Sequence, residues 1–324
     1  MRRAFRLVLL TITAAAIVSG TNLTFGQSFP TKPIRIIVPF PAGGTTDIFA
    51  RYIAPKLSEN LGQQVIIDNR AGASGMIGTE MLVKAPPDGY TLMITATHHV
   101  ANPSLYKKLP YDTAKDITNI TLVATAPNAL LAHPSFPPNT IKELIALAKR
   151  KPGELNFAST GIGGNNHLSG ELLKSMAGID MLHIPYKGAA PALNDLLGGQ
   201  VSMMFDALGA ALPHFKAGKL KILGVTTLKR SPVVPEIPAI SETVPGYEAS
   251  SWFGMYGPAG MSKEILHRIN NEVAKVLNSP DVKKRFAAFP AETGGNSPEE
   301  FDAYVKAEII KWGMVIKKIG LTLD

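Results

Sequence analysis

Two glycine-rich stretches hold the residues of this chain best placed to do chemistry. The first, Pro39-Phe40-Pro41-Ala42-Gly43-Gly44-Thr45-Thr46-Asp47, joins an apolar run to a helix-like run. Its glycines let the backbone turn sharply and approach a bound group, and Thr45 or Thr46 can cap the helix that follows. Free N–H groups and the positive end of a helix dipole at such a corner favour a carboxylate or phosphate. The second stretch, Ser159-Thr160-Gly161-Ile162-Gly163-Gly164-Asn165-Asn166-His167, adds short neutral donors in the same setting. His167 falls in the first turn of the next helix, where a local structural bond competes with a ligand contact. Asp206 ends the apolar strand MMFDA, where an acid needs a hydrogen-bond partner. Backbone groups, or a ligand hydroxyl, amine or protonated carboxyl, would supply one. His98 and His99 follow a strand at the corresponding level of the first half, so that one of them can reach the same cleft.

Several chemistries are disfavoured by spacing. A dinucleotide loop needs Gly-x-Gly-x-x-Gly, and Asn166 stands where the third glycine would be; a P-loop lysine is missing too. Neither HExxH nor Gly-x-Ser-x-Gly occurs, so no metal site, cofactor site or serine triad is expected. Zero cysteines excludes disulfides and thiol nucleophiles. Basic residues are scattered without interleaved aromatics, so nucleic acid is not an expected partner. Arg70 and Lys187 each follow a strand, where a solvated salt bridge outweighs an anion contact. Phe40, Trp252 and Phe253 can wall a cleft, though aromatics at strand ends are more often core. An enzymatic alternative, a hydrolase or isomerase, would use Asp206 with His98 or His167 as acid and base. A secreted adhesive module would have no use for paired glycine corners.

The elements that must position these residues alternate strand and helix from Phe29 onward, which argues for parallel sheets flanked by helices. Strands are expected at 34–40, 65–69, 92–97, 120–124, 129–133, 155–159, 181–186, 201–206, 220–226 and 253–256. Helices are expected at 46–60, 75–84, 140–150, 165–177, 190–197, 262–278 and 298–319. Ser297, Pro298 and Glu300 open the last in capping-box order. The run of strand, glycine-rich loop, helix, glycine, strand, helix and strand occurs twice, displaced by roughly 110 to 120 residues. This duplication implies two similar α/β lobes. Ligands of open α/β sheets bind beyond the carboxyl ends of the strands, so both corners face one cleft. The second lobe lies within the sequence, and the chain must cross between lobes near 124–128 and 245–251. Two crossings make a hinge.

At 324 residues and 45% hydrophobic content, length suggests about two domains. Residues 1–26 have a basic start, an apolar middle and a small residue before Gln27, the pattern of an export signal. With its three arginines set aside, 30 basic face 25 acidic residues, a mild +5. No later apolar run reaches the roughly 18 residues of a membrane span. The mature chain is expected in the periplasm.

In VPFPAGGTTDIFAR, IIDNRAGASGMIG, PDGYTL, NPSLYKKLPYD, HIPYKGAAPALNDLLGGQV, MMFDAL and SSWFGMYGPAG, the chain resembles the solute receptors of tripartite tricarboxylate transporters, the Bug receptors. The match covers nearly all of the mature chain, with the motifs in family order. The resemblance implies a two-lobed periplasmic-binding-protein (Venus flytrap) α/β fold, type II-like, monomeric, each lobe a sheet flanked by helices. Lobe 1 would comprise 27–125 plus 248–324 and lobe 2 126–247. It implies capture of a small carboxylate (a di- or tricarboxylate, an acidic amino acid or an aromatic acid) for delivery to two membrane permease subunits, without catalysis. Carried over by position, Phe40, Ala42, Gly43, Gly44 and Thr45 form one clamp. Ser159, Gly161, Gly163, Asn165 and His167 form the other, with Asp206 nearby; the His98-His99 pair is expected to tune this pocket. Where many relatives continue with serines, this chain has Gly164-Asn165-Asn166, which changes the donor geometry.

Overall fold

The computed structural model describes residues 29–186 and 188–323. The expected export signal and Lys187 lie outside that range. The first lobe begins with β1 (Ile34–Val38), whose apolar side chains are almost all buried, followed by α1 (Thr45–Leu61). There follow β2 (Val65–Asn69), α2 (Met76–Val83), β3 (Thr91–Ala96), α3 (His98–Leu105) and β4 (Ile117–Ala126). The second lobe holds β5 (Asn128–Ala132), α4 (Ile141–Arg150), β6 (Asn156–Ser159), α5 (Asn165–Ala177), β7 (Leu182–Pro185) and α6 (Ala189–Leu197). It continues with β8 (Met203–Ala207), α7 (Leu208–Lys216) and β9 (Lys221–Val225). The chain then returns through β10 (Ser251–Pro258), α8 (Lys263–Asn278), α9 (Pro280–Ala287), β11 (Glu292–Thr293) and α10 (Pro298–Ile319).

A six-stranded sheet has the order β11-β4-β10-β3-β1-β2 and a five-stranded sheet the order β7-β6-β8-β5-β9. The expectation of parallel sheets needs correction, because both are mixed. β1, β2 and β3 run parallel, as do β6, β7 and β8, while β10 and β5 pair antiparallel to β3 and β8. These antiparallel strands adjoin the crossings, where the chain enters a sheet from the other lobe and not through a helical crossover. β4 and β5 are almost one continuous strand interrupted by Pro127, which has no N–H to give a ladder. Ala249 donates its N–H to Thr226 O, which ties the return path to the end of β9.

Helices cover both faces of the larger sheet. On one side Phe49 of α1 stacks on Phe286 of α9 and meets Phe253 edge-on, with ring centroids 4.6 and 4.9 Å apart. On the other, α10 buries Phe301, Val305, Trp312 and Ile316 against β4 and α3, with Phe301 also against Trp252 and Tyr256 of β10. Trp252 and Trp312 both donate indole N–H to Glu308, at 2.8 and 2.9 Å, and Lys311 balances that buried carboxylate. Trp252 and Phe253 are therefore core residues. The capping box of Ser297 and Glu300 forms as the sequence predicts.

Candidate functional site

In each sheet the connections leave one central strand to opposite sides, β1 to β2 and then β3, and β6 to β7 and then β8. That reversal opens a crevice at the strands' carboxyl ends, and each glycine corner lies at it. The corners are near copies. Gly43 and Gly163 are left-handed at φ +82 and +76, a region that disfavours any side chain. Gly44 and Gly164 are the N-caps of α1 and α5, at φ/ψ of −76/164 and −71/162. Neither Thr45 nor Thr46 caps α1, contrary to the expectation. No side chain caps either helix, so the N–H groups of the first turns, which lack intrahelical acceptors, remain available.

Instead, each corner is locked from within by a bond spanning four residues. Gly43 N–H donates to Asp47 Oδ2 at 2.9 Å, and Gly163 N–H to His167 Nδ1 at 3.1 Å. Burial alone would raise the Asp47 carboxyl, but Arg51, the Gly43 N–H and Asn69 hold it below its ordinary value. The Arg51 guanidinium and the Asn69 amide, which also bonds Phe40 O, complete this base. His167 is pushed down to about 3, chiefly by burial and then by His183 and Lys174. Its ring stacks on His183 with centroids 3.8 Å apart, and it accepts at Nδ1, so both rings are neutral near pH 7 and His167 carries its proton on Nε2.

Ser159 is wholly buried, bonded to His183 Nε2 at 2.7 Å and to the backbone of Gly161 at 3.0 and 3.2 Å. Together Ser159 and His167 shape the second corner from beneath. Asn165, first residue of α5, bonds the side chain of Asn128 and, at 3.4 Å, Ser250 O. Asn128 is also bonded to Ser251 Oγ at 3.2 Å. The corner is thus wired to both crossings.

His98 opens α3 and lies between the corners. Its ring is 5.2 Å from that of Phe40, and its Nε2 lies 3.4 Å from where a Cβ on Gly164 would sit. Burial lowers it to about 4, so it is neutral as well. A Cβ on Gly163 would come within 2.6 Å of Leu105 on α3, so the second corner packs against the first lobe. His99 turns away into the core, its ring tilted against that of Tyr256 with centroids 4.5 Å apart. Asp206 is buried beside α5, with Asn166 Nδ2 at 3.4 Å from Oδ1. Ala42, Gly43, Gly44 and Gly161 complete the two turns. Arg70 is engaged with Asp68 at 2.9 Å, the salt bridge expected.

In the sequence, the loop after β2 stands out only through Arg70 and the family motif, with no place at the site. Ala73 and Ser74 are left-handed at φ +47 and +52, unusual for residues with side chains. Asn102 Nδ2 donates to Ser74 O at 3.1 Å, and Tyr106 Oη and Ser74 Oγ are 3.0 Å apart. A Cβ on Gly75 would lie 3.6 Å from Phe40, which places this loop behind the first corner. The bracketing Gly72 and Gly75 were the available signal.

Residues 49–321 match the model of the tripartite tricarboxylate transporter family receptor. The chain belongs to that receptor family. It is 38% identical over 321 residues to a UPF0065 protein in the tcbD-tcbE intergenic region of a Pseudomonas strain, covering 98% of this chain and 96% of that one. It is 34% identical to Protein BugT of Bordetella pertussis, covering 100% of this chain and 99% of that one. Among solved structures, R. palustris Rpa4515 with adipate aligns at a TM-score of 0.81 and 41% identity, covering 91% of this chain and all of that one. Rhodopseudomonas palustris MatC with bound malate aligns at 0.77 and 33%, covering 89% of this chain and all of that one. The two mixed sheets with flanking helices are the fold of these receptors.

Proposed function

We propose that this receptor is exported, captures a small dicarboxylate between its two glycine corners, and hands it to the permease subunits of a tripartite transporter. The observation that carries this reading is the pair of matched helix N-termini, uncapped by side chains, at the switch points of two lobes. Each offers backbone N–H groups and a positive dipole end to an anion. Phe40, Ala42, Gly43, Gly44 and Thr45 serve one end, and Gly161, Gly163 and Asn165 the other, with His98 and Asp206 between. Ser159 and His167 act by holding the second turn. The relatives solved with adipate and malate support a dicarboxylate. Lobe 1 comprises residues 27–125 and 248–324, lobe 2 residues 126–247, and the receptor acts as a monomer. The ligand shifts an open–closed equilibrium by contacting both lobes only in the closed state.

A thermal-shift screen of mono-, di- and tricarboxylates, amino acids and aromatic acids tests this. A dicarboxylate should raise the melting temperature in a concentration-dependent way, since a ligand that binds only the folded state adds stability. It should be recovered unchanged after prolonged incubation. Recovery of a converted product would favour the hydrolase or isomerase, and a flat screen would remove the ligand altogether.

A further inference from the structure

Among the described residues five acidic side chains are buried, and four of them are ion-paired. Asp47 faces Arg51, Glu171 faces Lys174, Glu272 faces Arg268 and Lys275, and Glu308 faces Lys311. Asp206 is the fifth. It is 6% exposed; its Oδ1 receives a 3.4 Å contact from Asn166, and its Oδ2 is buried with no hydrogen-bond partner. The elements packed on β8 are β5, β6, α5, α6 and α7. β5 and β6 carry no titratable side chain. On the helices these groups are His167, Glu171 and Lys174 of α5, Asp195 of α6, which is bonded to Tyr186, and His214 and Lys216 at the end of α7. None of them is bonded to Asp206. Burial, opposed by the Ala207 N–H and Asn166, pushes its carboxyl up to about 6.

The free oxygen belongs to a residue bonded to the second residue of α5, the helix whose N-terminus is the second anion corner. Two carboxylates in hydrogen-bond contact cannot both stay ionised without a cation between them. Building on the dicarboxylate reading, we propose that Asp206 is protonated in the ligand complex. Its Oδ2–H donates to a carboxylate oxygen of the ligand, and capture above the free acid's titration range takes up one proton from solvent. The proton stays on Asp206 and no other bond changes. The site then prefers a carboxylate over an ammonium at this end and binds more tightly as pH falls.

Calorimetric titration of adipate and malate at pH 5 and pH 8, each in two buffers of different ionisation enthalpy, counts the protons. The expected result is close to one proton taken up per ligand bound at pH 8, falling toward zero at pH 5. Affinity should drop roughly tenfold per pH unit above the free acid's range. In Asp206→Asn the uptake should vanish whatever the affinity that remains. Measurable binding by the unaltered protein with no uptake at pH 8 overturns the inference and leaves the receptor reading standing. Undiminished uptake in Asp206→Asn also overturns it, by placing the proton elsewhere. If neither acid binds at either pH, the dicarboxylate reading fails and the inference fails with it.

Discussion

Gly43 and Gly163 each give a backbone N–H to the side chain four residues on, an aspartate in one lobe and a neutral histidine in the other. Both locks weaken as pH falls, because Asp47 and His167 are each held below their ordinary values, but they do so over different ranges. His167 and His183 are depressed to about 3 and about 4 from an ordinary 6.5. Histidines lowered in this way contribute stability that is full above 6.5 and is lost as pH falls through 4 toward 3. Asp206 has the reverse sign. Its folded form, raised to about 6, holds more protons than the unfolded form between about 4 and 6, so its destabilisation grows through that window and is complete above it. Asp206→Asn should therefore stabilise the ligand-free protein at pH 8 by on the order of 3 kcal/mol, seen as a raised melting temperature, and leave it nearly unchanged at pH 4. Thermal unfolding across pH checks both signs. Single-residue behaviour of this kind was only half legible in the sequence. Asp206 stood out as an acid ending an apolar strand, but its lack of a counter-charge depends on which helices pack over β8.

At the scale of elements, the long periodic segments were legible and the short proline-bearing ones were not. α5 and α10 lie at the bounds the sequence predicts, because each ends at a left-handed glycine, Gly178 and Gly320, and α10 also opens on a capping box. α3 and α7 run eight and nine residues around Pro103 and Pro213, and α9 starts at Pro280; in each case proline reads as a breaker. Missing α3 hid the fact that His98 starts a helix and so faces the second corner. The two-residue β11 exists only by pairing with β4. The element that merits mutation is the start of α5, where Asn165 reaches Asn128 in one crossing and Ser250 in the other. Asn128→Ala removes that bridge without touching either glycine turn. Ligand-induced closure, read by distance between labels on the two lobes, should be incomplete and affinity reduced about tenfold, roughly 1.4 kcal/mol of closure energy. Full closure with unchanged affinity would show that the bridge does not couple corner to hinge.

For the whole molecule, the duplicated order of elements carried most of the information. It anticipated two sheets, two corners and a chain that visits the second lobe and returns, because each lobe obeys the same βαβ rules. The antiparallel strands beside the crossings escaped because a strand's direction depends on the route between lobes, which no local pattern records. The central claim is that one carboxylate ligand is held by both corners at once. Gly44 and Gly164 allow a direct test, because their φ values of −76 and −71 admit a side chain without backbone strain. Nothing lies nearer than 3.4 Å to the added methyl at either position. Calorimetric titration of adipate and malate into Gly44→Ala, Gly164→Ala and the unaltered protein should show one ligand per chain in the last, with binding weakened at least about tenfold by each change alone. Full affinity in either single variant would mean that the corner concerned does not hold the ligand, and would contradict the two-corner site.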